Sequence, residues 1–441
     1  MAEKRRLFGS FHVSNVEDLI GIEESVYSAP KLPKEIPETK VDKSVVREFG
    51  KEVKKKYFLL EDDFTFLNHG AFGSVMTPAM NATQAWQLFC ERQPVRFIDR
   101  QLLSQIADVT RKLAAFINSN PKNVVLVDNV TTAVSSVFSS LELSSEDVVL
   151  HTAFIHGGIR SALRRTCCKT GAKSMEIPIH LPVVDEEEIV KTIETSLHET
   201  PAKLLIIDHI SSVLAFIMPI QKIIDMCRLK GVQILIDGAH GLGSTALDMK
   251  ALNPDYYTSN CHKWLCGPKG TAFLYVKDEH RQNTHSAVTS YGYGYGFNSE
   301  FSWVGTKDYS PFLGLSQTLD FWNIVEPEKI RLYIRDLLRK ACNLLIKEWD
   351  TDLIAPLNML AGMALIRLPN ELFEGKEMIR YEDAEIIQNC LFNEYEIEVP
   401  IKAVNNQLYV RISVHIYNDL HDYEKLATSI MDICKSKTRA L

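Results

Sequence analysis

Apolar, β-rich runs recur along the chain from Phe64 onward: Val124–Val127, Val148–His151, Ser174–Ile179, Leu204–Asp208, Ile234–Ile236 and Thr271–Val276. Stretches with helical periodicity lie between several of them, clearest at Thr132–Leu141, Ile159–Lys169, Glu186–His198 and Ile220–Leu229. Buried strands that alternate with helices predict an α/β fold with a mostly parallel sheet covered on both faces. Ligands in such folds bind beyond the carboxyl ends of the strands, so residues just after those ends are the first candidates for chemistry.

The texture changes twice. Ala29–Lys43 carries prolines and many charges and reads as an extended arm, followed by a charged helical stretch at Val45–Tyr57. After Gly305, Leu313–Trp322 and Pro327–Trp349 read as long helices, and strands at Met363–Leu368 and Leu408–Val414 flank a helical segment at Tyr381–Leu391. The expected organisation is an arm over residues 1–63, a large α/β domain over 64–312 and a small α+β domain over 313–441. Tyr291–Phe297 repeats Tyr-Gly three times. Without a strand before it and a helix after it, the repeat reads as an aromatic loop and not as a phosphate-binding turn.

Composition narrows the partners. The 441 residues include 49 basic and 56 acidic ones, a net charge of −7, with 46% hydrophobic and 24% charged residues. That is ordinary globular composition, and the mild acidity offers no basic footprint for nucleic acid. The nine cysteines form no disulfide framework, the start of the chain lacks an apolar secretory core, and Leu204–Ile220 is broken by Asp208 and His209. A soluble, cytoplasmic protein that does not enter a membrane is the expectation.

Four segments at strand ends carry the candidate chemistry. Ile234-Leu235-Ile236 delivers Asp237, followed by Gly238-Ala239-His240. A buried carboxylate needs a cation or strong donors; a helix cap or a structural ion pair would also explain it. Ser259-Asn260-Cys261-His262-Lys263-Trp264 sets a lysine between His and Trp, and Gly267-Pro268-Lys269-Gly270 forms a tight turn after it. Asn129-Val130-Thr131-Thr132-Ala133 opens a helix, where free N–H groups and the dipole attract anions, or where Thr131 simply caps. An anion cup, a buried acid and a candidate nucleophilic amine are together what pyridoxal phosphate requires.

The ordered set Phe66-Leu67-Asn68-His69-Gly70-Ala71-Phe72-Gly73, Glu91-Arg92-Gln93-Pro94 followed by Phe97, Asn129–Ala133, Asp237–His240, Asn260–Trp264, Trp303-Val304-Gly305-Thr306-Lys307-Asp308, and Arg411-Ile412-Ser413 with Tyr417-Asn418 resembles the pyridoxal-phosphate-dependent class V aminotransferase superfamily of fold type I. Within it, the chain is most similar to the branch of isopenicillin N epimerase-like proteins, cysteine desulfhydrases and hercynylcysteine sulfoxide lyases. The resemblance implies a mostly parallel seven-stranded sheet and a homodimer with shared active sites. It implies Lys263 as the Schiff-base lysine, Asp237 as partner of the pyridine nitrogen and His240 beside the ring oxygen. Thr131, Thr132 and Ala133 would hold phosphate with Asn260 and His262, and Thr306 would reach the phosphate of the other subunit. Arg411 would bind a substrate α-carboxylate, with Asn68, His69 and Arg92 toward the substrate. No metal is implied.

Two positions depart from the pattern. His156 stands in for the tyrosine that often stacks on the ring, and Ser212 stands where desulfurases carry asparagine. A desulfurase also needs a reactive cysteine on a mobile loop. Cys266 falls in the turn after Lys263, and Cys342, Cys390 and Cys434 fall in helical stretches. The expected activity is therefore a C–S lyase acting on cysteine or an S-substituted cysteine. An epimerase, an aminotransferase or a catalytically idle binding protein of the same fold are the competing outcomes.

Overall fold

The protein is described from a computed structural model that covers residues 15–373 and 375–438. In chain order the strands are β1 (Thr65–Phe66), β2 (Val124–Val127), β3 (Val148–Thr152), β4 (Lys173–Ile177), β5 (Leu204–Asp208) and β6 (Gln233–Asp237). They continue with β7 (Tyr256–Asn260), β8 (Ala272–Val276), β9 (Met363–Arg367), β10 (Ile397–Glu398), β11 (Ile401–Val404) and β12 (Gln407–Ser413). The seven-stranded sheet runs β2-β8-β7-β6-β5-β3-β4. Its pairs are parallel from β7 through β4, and β8 is antiparallel to both of its neighbours. This is the expected α/β architecture, with one reversed strand.

Strand β7 has no apolar run to announce it. It is buried along its whole length although it reads Tyr-Tyr-Thr-Ser-Asn. The fold tolerates this because the polar groups are paired: Thr258 Oγ1 donates to the Phe273 carbonyl at 2.7 Å, and Ser259 Oγ accepts from Leu242 N–H at 3.2 Å. A satisfied buried hydroxyl costs little compared with an orphaned one.

A small C-terminal antiparallel sheet, β11-β12-β9, lies beside the helices Pro327–Trp349, Tyr381–Tyr395 and Leu420–Thr438. One core runs through both sheets, and a specific backbone link joins them near β1. β1 pairs parallel with β10, and just beyond it Ser413 N–H donates to the Leu67 carbonyl at 2.8 Å. The segment after β1 is thereby brought alongside β12. The expected boundary between residues 312 and 313 falls inside the helix Ser310–Val325, which packs on Thr77–Arg92 and Leu102–Phe116.

The described part of the arm is anchored by Val16, Ile20, Ile36, Val46, Val53 and Tyr57, all buried in the main core. The stretch Val45–Tyr57 is not one helix. A 3-10 turn at Val45–Arg47 and a helix at Lys51–Tyr57 are separated by Gly50, whose φ of +116° only glycine adopts without strain. The loop around Tyr293 exposes Tyr291, Tyr293 and Tyr295. Contrary to expectation, a short helix at Phe297–Ser302 follows it. At six residues it makes no phosphate-binding turn of the loop, and its Ser299 N–H is taken by Glu17 Oε1 at 3.1 Å. No helix among the described residues is long and apolar enough to cross a membrane.

Candidate active site

β5 and β6 lie side by side and end in register, Asp208 against Asp237. Both carboxyls are buried, at 4% and 3% exposure. Asp237 Oδ1 accepts the Ala239 N–H at 2.8 Å. Burial pushes both carboxyls up, with the charge of Asp237 adding to the effect on Asp208. The Ala239 N–H and the nearby Lys263 and His156 pull Asp237 back down. Of the two, Asp237 is therefore better placed to hold a negative charge, and a cationic ring nitrogen is the kind of partner that would stabilise it.

Lys263 enters from the turn after β7 and is 9% exposed. Burial lowers its pKa to about 8, against the attraction of Asp237. Its Nζ lies 3.2 Å from His240 Nε2. The other ring nitrogen, Nδ1, accepts the indole N–H of Trp264 at 3.0 Å. An indole nitrogen only donates, so the neutral imidazole carries its proton on Nε2 and points it at the lysine. Burial and the Lys263 charge hold His240 well below the usual histidine range. Burial and the facing donor thus both favour the free amine over the ammonium.

The opposite wall is built from two helix N-termini. Asn129 Oδ1 caps Val130–Ser140 by accepting from Thr132 N–H at 2.9 Å, and Asn260 Oδ1, at the end of β7, accepts from Val130 N–H at 3.1 Å. Ala133 N–H is bonded to the Asn129 carbonyl at 3.2 Å. Thr131 is exposed, on the side of Gly158 and His156: a Cβ built on Gly158 would lie 3.7 Å from Thr131 Oγ1 and 3.2 Å from His156 Nδ1. His156 caps the helix Gly157–Thr170 through Gly158 N–H at 3.2 Å. These N–H groups already have partners, so it is the dipoles of the two helix starts that favour an anion here. His262 Nδ1 bonds to the Thr271 carbonyl at 3.0 Å, and burial lowers its pKa to about 4. Thr306 is exposed in a loop that its neighbour Lys307 ties to Asp128 by an ion pair.

Arg411, on β12, is 5% exposed. Its guanidinium donates to the Ser212 carbonyl and, at 3.1 Å, to Asn68 Oδ1, while its Nε has no partner. Burial lowers its pKa to about 10. A buried guanidinium held by neutral oxygens, with its Nε–H and a further N–H unused, suits a carboxylate ligand. Asn68 Nδ2 in turn donates to Glu398 Oε1 at 2.8 Å. The sequence-selected residues separate here. Asn68 and Ser212 join Arg411; His69 is fully buried and bonds to the Lys263 carbonyl at 3.0 Å; Arg92 is exposed and ion-paired with Glu35 of the arm.

Three groups escaped the sequence reading. Asp208 showed only as an interruption in an apolar run. Trp264 stood inside a recognised motif without a role. His415, fully buried, bonds to the Trp264 carbonyl from the far end of the chain, and Tyr417, nearly fully buried, bonds to His69. Tyr417 belongs to a recognised motif but had no role there, and no local pattern marks His415.

The chain is 32% identical over 405 residues to an L-cysteine desulfhydrase of Arabidopsis thaliana, covering 84% of this chain and 88% of the relative. Its fold matches a structure of a cystine C–S lyase with its reaction product cysteine persulfide, at a TM-score of 0.71 and 22% identity, over 84% of this chain and 98% of that one. A variant described as having glycine covalently linked to its PLP cofactor matches equally, with a TM-score of 0.71 and 22% identity over 84% of this chain and 97% of that one. Residues 95–426 match the family Aminotransferase class-V, and the chain belongs to that family.

Proposed function

We propose that this chain binds pyridoxal phosphate and cleaves the C–S bond of cysteine or an S-substituted cysteine. The observation that carries the reading is the Lys263 amine, buried, with a pKa of about 8 and facing the fixed N–H of His240. The residues fit the cofactor: Lys263 for its carbonyl carbon, Asp237 for its ring nitrogen, and the N-terminus of Val130–Ser140 with Thr131, Thr132, Ala133, Asn260 and His262 for its phosphate. His240 and His156 flank the same space, and Thr306 of a second copy would complete it in a homodimer. When bound, the cofactor supplies an electron sink conjugated to the substrate α-carbon.

The remaining work belongs to this chain's own groups. Arg411 holds the α-carboxylate in a bidentate fork and so orients the Cα–H bond. Lys263 Nζ takes the Cα proton as general base. A proton on Nζ then faces the Nε2–H of His240, which cannot turn acceptor while Trp264 occupies Nδ1. The ammonium stays acidic and passes the proton on to the departing sulfur. With cysteine and water the products are hydrogen sulfide, pyruvate and ammonia.

Elimination is favoured over sulfur transfer to the protein. Cys266, Cys342 and Cys434 are buried, and Cys390 lies in the helix Tyr381–Tyr395. Burial pushes the Cys266 thiol up, away from the reactive thiolate. The test is incubation with cysteine and S-substituted cysteine sulfoxides in deuterated water. Pyruvate and ammonia release supports a lyase. Deuterium at Cα without product loss identifies an epimerase, and an oxo acid that keeps its sulfur identifies an aminotransferase.

A further inference from the structure

Against the backbone of the lysine turn sits a fully buried cluster that the proposed chemistry does not use. His69 and His415 stack with ring centroids 4.3 Å apart and planes at 27°. His69 Nε2 lies 3.0 Å from the Lys263 carbonyl oxygen, and His415 Nε2 lies 3.0 Å from the Trp264 carbonyl oxygen. Carbonyl oxygens only accept, so both rings carry their proton on Nε2. His69 Nδ1 is then an acceptor, and the Tyr417 hydroxyl fills it at 2.8 Å.

With Cys266, whose Sγ is 3.4 Å from His415 Nε2, the two histidines form a metal-ligand set by residue type. Their Nε2–H groups are already committed to the two carbonyls, so the geometry is that of a bracket.

We propose that His69 and His415 are positioning residues: neutral imidazoles that grip two successive carbonyls, those of Lys263 and Trp264, and fix the turn that aims the Lys263 amine at His240. Trp264 closes the loop. Its carbonyl is held by His415 while its indole orients His240, so one residue couples the bracket to the amine. Tyr417 acts a step further back by assigning the His69 tautomer. Burial holds His415 at about 4 and His69 well below the usual histidine range, which keeps both rings neutral at ordinary pH.

The inference rests on the proposed function only in naming Lys263 as the reacting amine. Its test reads that amine directly. The full-length chain, freed of bound carbonyl compounds, is acetylated with acetic anhydride across a pH series, and the modified fraction of the Lys263 peptide is measured by mass spectrometry. Tyr417→Phe and His69→Phe release the turn and return Lys263 toward solvent, so the pH midpoint rises by about one unit, tenfold in proton affinity. His69→Gln keeps an N–H donor and stays close to wild type. A lowered melting temperature in every variant with an unmoved midpoint overturns the proposal, because a purely structural cluster behaves that way. Stoichiometric zinc in the purified wild type overturns it as well. If His69→Phe does not fold, Tyr417→Phe decides alone, since it removes one hydroxyl from a ring that stays in place. Acetylation needs no cofactor, so failure to bind pyridoxal phosphate counts against the proposed function and leaves this test intact.

Discussion

The Trp264 indole donates to His240 Nδ1 at 3.0 Å, and this bond decides which way the imidazole faces the lysine. With Nδ1 occupied, only Nε2–H is left for Lys263 Nζ at 3.2 Å. A donor opposite an amine favours its neutral form. Trp264→Phe keeps the aromatic bulk and frees Nδ1, so His240 can switch tautomer and accept from an ammonium. The basic-side shift of the Lys263 titration is expected to be about one unit, with kcat down about tenfold near neutral pH. A pH–rate profile of the variant checks this; an unchanged profile would remove the tautomer from the account.

Gly73→Ala is expected to damage the site from a distance in sequence. Gly73 has φ +66°, and a Cβ there would run into the His262 carbonyl and lie 2.8 Å from Lys263 Cα. Both obstacles are backbone of the lysine turn, which cannot swing aside. The combined strain and clash should lower stability by about 2–4 kcal/mol and displace Lys263. Urea denaturation and a turnover assay read the two effects, and a fully stable, fully active variant would contradict the packing described for this turn.

Arg411→Lys separates substrate binding from cofactor binding. The lysine cannot replace a planar fork that reaches Ser212, Asn68 and a carboxylate at once. KM for the amino acid should rise about tenfold or more, with cofactor affinity nearly unchanged. Equal losses in both would place Arg411 outside the carboxylate site.

Lys263 also leaves a signature in stability. Its pKa falls from 10.5 in the unfolded chain to about 8 in the folded, cofactor-free one. Between those values the unfolded state binds more protons, so this lysine's penalty, on the order of 3 kcal/mol, fades as pH rises from about 8 to 10.5. Buried thiols act in the opposite direction: Cys227 and Cys342 are pushed up to about 12, and their contribution is lost as pH rises past the unfolded thiol value. The usable quantity is therefore a difference. Wild type minus Lys263→Met should gain stability with pH across this window in denaturant titrations, and a flat difference would mean that the amine is not desolvated.

Much of this was legible in the sequence, for reasons that particular residues make plain. Strands such as Leu204–Asp208 announce themselves because both faces are buried. Asp237 closes a strand that the pattern locates, whereas Lys263 is marked by its His-Lys-Trp motif alone. β7 stayed hidden because Thr258 and Ser259 are buried with their hydroxyls paired, which no periodicity reveals. The role of His69 stayed hidden for a different reason. Its partner Tyr417 lies 348 residues away, and the two meet only because β1 pairs with β10 and β12 runs beside Leu67. Motif order shows that both segments matter. Only the three-dimensional pairing shows that His69 lies buried against the lysine turn.

The central claim is that Lys263 is the amine that holds pyridoxal phosphate. The direct measurement is to titrate the purified chain with pyridoxal phosphate, record the visible absorbance, reduce with borohydride and map the peptides. A visible band that reduction bleaches is expected, with the pyridoxyl group on Lys263 and none on Lys269. A colourless protein, or a label on any other lysine, would contradict it.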